Sequence, residues 1–314
     1  MGKKGYVYIV GAGPGDHRLI SIKGLESIKK ADVIIYDRLV SARLLSYAKP
    51  GARLIYAGKA SSDHTMRQED MNVLIADEAA GGNIVCRLKG GDPYIFGRGG
   101  EEALLLNERK IPFEIVPGIS AFASVPAYAG IPVTHRGYTA TAAVITGHED
   151  PAKGASDIDW PKISGIGTLV FFMGVKNLSN ICENLIKHGK MPETPAAVIQ
   201  WGTTSKQRTV TGTLETIDET VKRSGITPPA IFIVSETVRL REKLNWFETL
   251  PLFGKKIVVT RAREQASELV LKLEEMGAEV FEFPVIKIVP PDDCYASIDG
   301  AIENMDRYGL VVFT

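Results

Sequence analysis

The chain predicts an α/β protein of two domains, a parallel-sheet domain at 1–132 and a mixed-sheet domain at 133–250, followed by an incomplete third α/β segment at 251–314. Three observations predict this. From Tyr6 to about Val133, short β-branched runs alternate with longer helical stretches, the pattern of parallel strands covered by helices on both faces. The next stretch groups several strand candidates around a hairpin-like middle, which calls for a mixed sheet. Around Thr249 to Phe253 a strand-then-helix pattern starts again. With 314 residues and 45% hydrophobic content, the chain exceeds one typical domain and can fill two cores and part of a third.

The elements follow in order. The apolar run Tyr6 to Val10 reads as a strand, and the glycine turn GAGPGD at Gly11 to Asp16 leads from it to a helix at 19–29. Strands at 32–36 and 53–57, a helix at 67–80, a strand at 84–88 and a helix at 99–109 continue the alternation. Gly130 to Val133 makes a hinge into the second domain. There, strands are expected at Ala142 to Thr146, Thr168 to Met173, Ala196 to Gln200, Gln207 to Thr213 and Ala230 to Val234, with a helix at Leu178 to His188. In the tail, Ile257 to Thr260 is a strand, and Ala266, Leu269, Val270, Leu273 and Met276 lie on one face of a helix that Gly277 stops. A second strand is expected around Val280 to Val289 and a last one at Leu310 to Phe313. No helix follows that last strand, and a parallel strand needs both faces covered, so packing beyond Leu252 is expected to be poor.

Composition excludes several classes. Lysine plus arginine and aspartate plus glutamate number 37 each, which argues against nonspecific nucleic-acid binding. Cys86, Cys182 and Cys294 stand far apart with no CxxC spacing, so neither a metal site nor a disulfide framework is expected, and a reduced cytoplasmic setting fits. Glycines 11, 13 and 15 interrupt the first apolar stretch, which rules against a signal peptide. The longest apolar runs are of strand length, far below the ~20 residues of a membrane span.

A second turn, GGDP at Gly90 to Pro93, follows strand 84–88, so two backbone-open loops stand at two strand ends and predict one shared ligand crevice. In a dinucleotide site of the G-x-G-x-x-G type, the third glycine packs the helix closely and free amides face a pyrophosphate. Here Asp16 holds that position, and Pro14 removes an amide donor. The expected ligand is a nucleoside-like molecule without phosphates. Asp37 ends one strand and Lys59 follows another, which puts both at the carboxyl edge of the sheet, where α/β folds keep ligands; the alternative is a solvated ion pair. Glu101 and Glu102 begin a helix, where the dipole alone would favour them. Arg98, between two glycines, has no such reason and suits bidentate capture of a carboxylate. Arg136, with His135 beside it, suits the same task.

VYIVGAGPGD at 7–16, ADVIIYDRLVS at 31–41, RLKGGDPYIFGRGGEE at 87–102, VPGISAF at 116–122, GIPVTHRG at 130–137 and FFMG at 171–174 resemble the tetrapyrrole methylase family, over roughly Lys4 to Leu250. FGRGGEE and THRG point within it to the branch acting on uroporphyrinogen III. The resemblance implies the two-domain fold of that family and transfer of a methyl group from S-adenosylmethionine to a pyrrole carbon, twice, giving precorrin-2. It assigns Asp37 as proton acceptor and Lys59 as proton donor, and makes Arg98 and Glu101 catalytic candidates. Arg98, Arg136 and His135 would bind the carboxylates of the substrate. Donor contacts are expected from Pro14, Gly90, Gly91, Asp92, Ile95, Ser120, Ala121, Met173 and Gly202, mostly through backbone, which suits glycine. Read without the resemblance, Ser120 is a helix N-cap and Met173 is strand core. The base that assists proton loss stays open among Asp37, Glu101 and a carboxylate of the substrate. A homodimer in the cytoplasm is implied, with no metal, nucleic acid or membrane partner.

The tail from Gly254 to Ile288 resembles the opening of the uroporphyrinogen-III synthase family. The chain is therefore expected to be a shortened form of a two-activity polypeptide that methylates uroporphyrinogen III without making it. The few residues before Tyr6 leave no room for a dehydrogenase and chelatase, so precorrin-2 is the expected end product. The alternatives are a relative acting on later corrin precursors, a modified histidine or ribosomal RNA ribose, then a nucleotide-binding oxidoreductase. A ligand-sensing or scaffold module is the non-enzymatic alternative, against which Asp37, Lys59, Arg98 and Glu101 together argue.

Overall fold

The computed structural model describes residues 5–58, 67–148, 157–260, 263–285 and 289–312, without the side chains of 263–267. Lys59, one of the expected site residues, lies outside them. The chain divides into two compact units, Met1–Gly254 and Lys255–Thr314.

The first unit begins with β1 (Tyr6–Gly11), α1 (Ile22–Lys30), β2 (Val33–Tyr36), α2 (Ala42–Leu45), β3 (Arg53–Tyr56), α3 (Gln68–Ala80), β4 (Ile84–Lys89), α4 (Gly99–Glu108) and β5 (Phe113–Val116). These strands form one parallel sheet in the order β3-β2-β4-β1-β5. Alternation along each strand sends side chains to two cores, as a sheet covered on both faces requires. Val7, Ile9, Val33, Ile35 and Val85 pack with Met71 and Ile75 of α3 and Leu106 of α4. Val10, Ile34, Cys86 and Leu88 pack on the other face with Ile28 of α1 and Leu44 of α2.

The first helix starts three residues later than its apolar pattern predicts. The Asp16 carboxylate accepts from the Arg18 amide at 2.9 Å and closes a 3-10 turn over His17–Leu19, and the Ser21 hydroxyl then caps α1 by accepting from the Gly24 amide at 3.0 Å.

The unit continues with α5 (Ala121–Tyr128), β6 (Ala142–Thr146), α6 (Trp160–Ile163), β7 (Thr168–Phe172), α7 (Leu178–Lys187), β8 (Pro195–Gln200), β9 (Arg208–Thr213), α8 (Ile217–Ser224), β10 (Ala230–Val234) and α9 (Arg241–Leu244). The second sheet is mixed, in the order β6-β7-β10-β8-β9, with only β6 and β7 parallel. Val125 and Ala129, in and just after α5, pack on its Val170, Ala197, Ile199 and Ile233 face. The opposite face packs Phe171 and Phe232 against Ile181 and Leu185 of α7 and Ile217 of α8.

The second unit contains β11 (Lys256–Val259), α10 (Arg263–Glu275), β12 (Glu279–Glu282) and α11 (Ala296–Glu303). Strands β11 and β12 are parallel, and Val259 and Val270 are the buried pair at the centre of its small core. Two expectations are corrected here. The strand expected to reach Val289 stops at Glu282, two residues before Pro284, which has no amide to donate to a ladder. Residues 310–312 form no strand, and the sheet of this unit holds β11 and β12 alone among the described residues; Phe313, the end of the expected strand, lies outside them. Val258 and Phe281 stand exposed, so the sheet carries apolar side chains that are not covered.

Candidate functional site

The two glycine turns meet. The amide of Gly13 donates to the Gly91 carbonyl at 3.2 Å and the amide of Gly91 donates back to Gly13 at 2.6 Å, an isolated antiparallel bridge at the carboxyl edge of the first sheet. Asp92 fixes the adjoining loops: one carboxylate oxygen accepts from the Tyr94 amide at 2.8 Å and the other from the Gly118 amide at 3.0 Å. Gly91 has φ +70°, and a Cβ there would have only the Ala121 amide nitrogen near it, at 3.9 Å. This glycine is thus required by its backbone angle, and its Cα faces open space. Gly90 adjoins Leu39, and Pro14 is half-buried between Gly13 and Gly15.

The first lobe touches the second at this edge. The Asp16 amide donates to the Thr203 hydroxyl at 3.1 Å, and the Tyr128 hydroxyl donates to the Asp16 carboxylate at 3.0 Å. Asp16, which replaces the third glycine of a dinucleotide turn, therefore ties the turn to α5 and to the 201–204 turn. The Phe96 and Phe172 rings meet at 5.4 Å between centroids. Met173, just beyond β7, is half exposed with φ +56°, so the strand-core reading of this residue is incorrect. Phe96, Arg98, Trp201 and Thr203 also have positive φ, a clustering of costly backbone typical of ligand sites. Gly202 has a simpler reason to be glycine, because a Cβ would lie 2.4 Å from Val125 Cγ1. Ser120 caps α5 by accepting from the Phe122 amide at 3.2 Å, with Ala121 beside it, and Ile95 is exposed next to Phe96.

Arg98 does have a partner. Its Nε and Nη2 donate to the two oxygens of Glu101 at 2.8 and 2.7 Å, a bidentate pair about half exposed on both sides. The hydrogen bond from Arg98 holds the Glu101 carboxyl below the usual carboxylate range. Arg136 is exposed on a tight turn closed by the His135 and Thr139 bridge, and His135 is exposed with its Nδ1 2.7 Å from the Arg136 carbonyl.

Among the described residues the partner of Asp37, at the end of β2, is Arg87 of β4, whose Nη2 donates to Oδ1 at 2.7 Å. The Arg87 side chain is 4% exposed. Its Nε donates to Glu102 Oε1 at 3.0 Å, and Lys89 Nζ donates to the same oxygen at 2.7 Å. Glu102 is fully buried, so its position at a helix start is not explained by the dipole alone. Burial opposes the charge on Arg87, but Glu102 and Asp37 outweigh it and raise its pKa. Burial, followed by repulsion from Arg87, lowers that of Lys89. Sequence reasoning missed Arg87, Lys89 and the buried role of Glu102. The available signal was two cations at alternate positions of a strand between two others, which have to find buried carboxylates.

Residues 6–218 match the family described as Tetrapyrrole (Corrin/Porphyrin) Methylases. The chain belongs to this family. It is 54% identical over 235 residues to a uroporphyrinogen-III C-methyltransferase of Priestia megaterium, covering 74% of this chain and 98% of that protein. It is 41% identical over 312 residues to the porphyrin biosynthesis protein HemD of Ruminiclostridium josui, covering 99% of this chain and 61% of the relative. Against a uroporphyrinogen-III C-methyltransferase of Bacillus subtilis (strain 168), 48% identical over 283 residues, it covers 90% of this chain and 58% of the relative. The chain thus spans about three fifths of the length of the last two. A crystal structure of uroporphyrin-III C-methyl transferase from Thermus thermophilus complexed with S-adenosyl homocysteine matches with TM-score 0.64 and 38% identity, over 75% of this chain and 100% of that one. Among the described residues no helix is long and apolar enough to cross a membrane, and no cluster of metal-ligating side chains is found.

Proposed function

We propose that the protein is an S-adenosylmethionine-dependent C-methyltransferase that methylates uroporphyrinogen III twice, giving precorrin-2. The observation that carries this reading is the Gly13–Gly91 bridge, which puts the open α-carbon of Gly91 beside the Ala121 amide at the edge where the two lobes touch. A ligand lying against that α-carbon would meet backbone groups, as expected of a nucleoside-like donor, and the Thermus thermophilus relative that matches this fold was crystallised with S-adenosyl homocysteine. The donor would lie between the lobes, with Pro14, Gly90, Gly91, Asp92, Ile95, Ser120 and Ala121 on one side and Met173 and Gly202 on the other.

Bound there, S-adenosylmethionine supplies an electrophilic methyl group on its sulfonium. The residues of this chain do the rest. Arg98, Arg136 and His135 hold carboxylates of the tetrapyrrole, so that a ring carbon stands in line with the methyl group. For Arg98 this means exchanging Glu101 for a carboxylate of the substrate, an exchange of low cost because half-exposed pairs contribute only ~0–1 kcal/mol. The methylated ring carbon carries no hydrogen, so the positive charge left by methyl transfer is discharged by losing a proton from a pyrrole nitrogen or a bridge carbon, and Asp37 takes that proton. Asp37 is placed ahead of Glu101 because Arg87 holds its Oδ1 at the strand end while its Oδ2 has no partner among the described residues, whereas Glu101 is released when Arg98 turns to the substrate. Lys59 serves as proton donor by family resemblance alone.

We place the methylase lobes at 1–132 and 133–250 and read 251–314 as part of a uroporphyrinogen-III synthase-like domain. The match to HemD along nearly the whole chain supports that reading of the tail. A cytoplasmic homodimer that needs no metal and binds no nucleic acid or membrane is the accompanying proposal. The test is a panel of acceptors supplied with methyl-labelled donor. Label should enter uroporphyrinogen III; label entering only a later corrin precursor or ribosomal RNA would overturn the proposal.

A further inference from the structure

Arg87 touches neither the expected donor contacts nor the expected substrate arginines, yet every nitrogen of its guanidinium is engaged. Nη2 donates to Asp37 Oδ1 at 2.7 Å, Nε to Glu102 Oε1 at 3.0 Å, and Nη1 to the Ile35 and Leu88 carbonyls at 3.4 Å each. Lys89 holds the far side of Glu102 Oε1 at 2.7 Å, and Gln68 Nε2 of α3 reaches it at 3.4 Å. Two cations thus face two carboxylates in a cluster where only Asp37, with a side chain 32% exposed, opens to solvent.

The geometry decides what this cluster does. A guanidinium alone with a carboxylate prefers to donate through two nitrogens and occupy both oxygens. Here Glu102 takes Nε and backbone carbonyls take Nη1, so a single nitrogen remains for Asp37. One oxygen of Asp37 is therefore held, while the other has no partner among the described residues. A carboxylate on a strand end would otherwise rotate among rotamers, and a group 1 Å out of place loses much of its rate.

Resting on the reading of Asp37 as proton acceptor, we propose that Arg87, itself held by Glu102, which Lys89 also anchors, is a positioning residue that fixes Asp37 with one oxygen free toward the substrate. Arg87 acts through Asp37 alone, so its contribution disappears when Asp37 cannot accept a proton.

The test is a double-mutant cycle on the full chain with Asp37→Asn, Arg87→Met and the pair, reading kcat, KM for uroporphyrinogen III and binding of S-adenosyl homocysteine. Each single variant should lower kcat by about tenfold or more with KM and donor binding little changed, and the double variant should be no slower than Asp37→Asn. Multiplying losses, or full-speed Arg87→Met beside a disabled Asp37→Asn, would overturn the positioning role. Wild-type kcat in Asp37→Asn would instead overturn the proton-acceptor reading, and the proposal with it. If Arg87→Met does not fold, Arg87→Lys carries the same cycle: it keeps the charge, loses the fork and should give an intermediate kcat.

Discussion

Replacing Gly91 with alanine separates a backbone requirement from a ligand requirement. Its φ of +70° lies in the left-handed region, where an L-residue costs roughly 1–2 kcal/mol. The added methyl group meets the Ala121 nitrogen at 3.9 Å, an ordinary van der Waals distance, so no clash adds to that cost in the free protein. Gly225, which caps α8 with φ +65° and has nothing within 4 Å of its would-be Cβ, provides the control. Both alanine variants should lose the same stability, lowering the melting temperature by about 2–4 °C per kcal/mol. Only Gly91→Ala puts a methyl group where the donor is placed. The loss of one close backbone contact, about 1–1.5 kcal/mol, corresponds to roughly tenfold weaker binding. Calorimetric titration with S-adenosyl homocysteine, beside thermal melts of both variants, measures the two effects. Equal donor affinity in the two variants would refute the placement of the donor against Gly91.

Arg98→Ala should lower kcat/KM for uroporphyrinogen III by the ~1.5–3 kcal/mol of a charge-assisted contact, roughly 10- to 150-fold, while donor titration and the melting temperature stay near wild type. His17 is held neutral by burial and by Arg43, which bring its pKa from 6.5 down to about 4, so unfolding takes up a proton and stability falls as the pH drops from 6.5 toward 4. Because His17 is partly open to water, the loss is about 1–2 kcal/mol, and urea titrations across that window should show a flatter slope for His17→Gln. Gly202→Ala should destabilise by about 1–3 kcal/mol through its 2.4 Å approach to Val125, and Val125→Ala in the same chain should restore much of that; an unchanged melt for Gly202→Ala would disprove the packing argument. A chain ended at Gly254 should keep full methyl transfer, measured as turnover of uroporphyrinogen III.

Most strands of both sheets were legible because they are short apolar runs rich in β-branched residues, set off by glycine, proline or charged residues. Strand β5 and helix α5 were not. Phe113–Val116 is only four residues between two prolines, and Ala121–Tyr128 carries Pro126 and small residues that pack on the second sheet, so neither shows a clear period. The two glycine turns pointed to one shared site, but their direct pairing depends on β4 lying beside β1, which no local pattern gives. The Arg98 and Glu101 pair was not read either, because Arg98 is the left-handed residue just before α4 and helical spacing does not extend to it, and the link from Asp37 through Arg87 to Glu102 joins three separate elements and required the tertiary fold.

The most direct measurement of the central claim is the mass of the tetrapyrrole product after incubation with S-adenosylmethionine and uroporphyrinogen III under reducing conditions. A product carrying two added methyl groups, formed through a singly methylated intermediate and absent when the donor is omitted, is the predicted result. Recovery of unmodified uroporphyrinogen III from a folded protein that binds S-adenosyl homocysteine would contradict it.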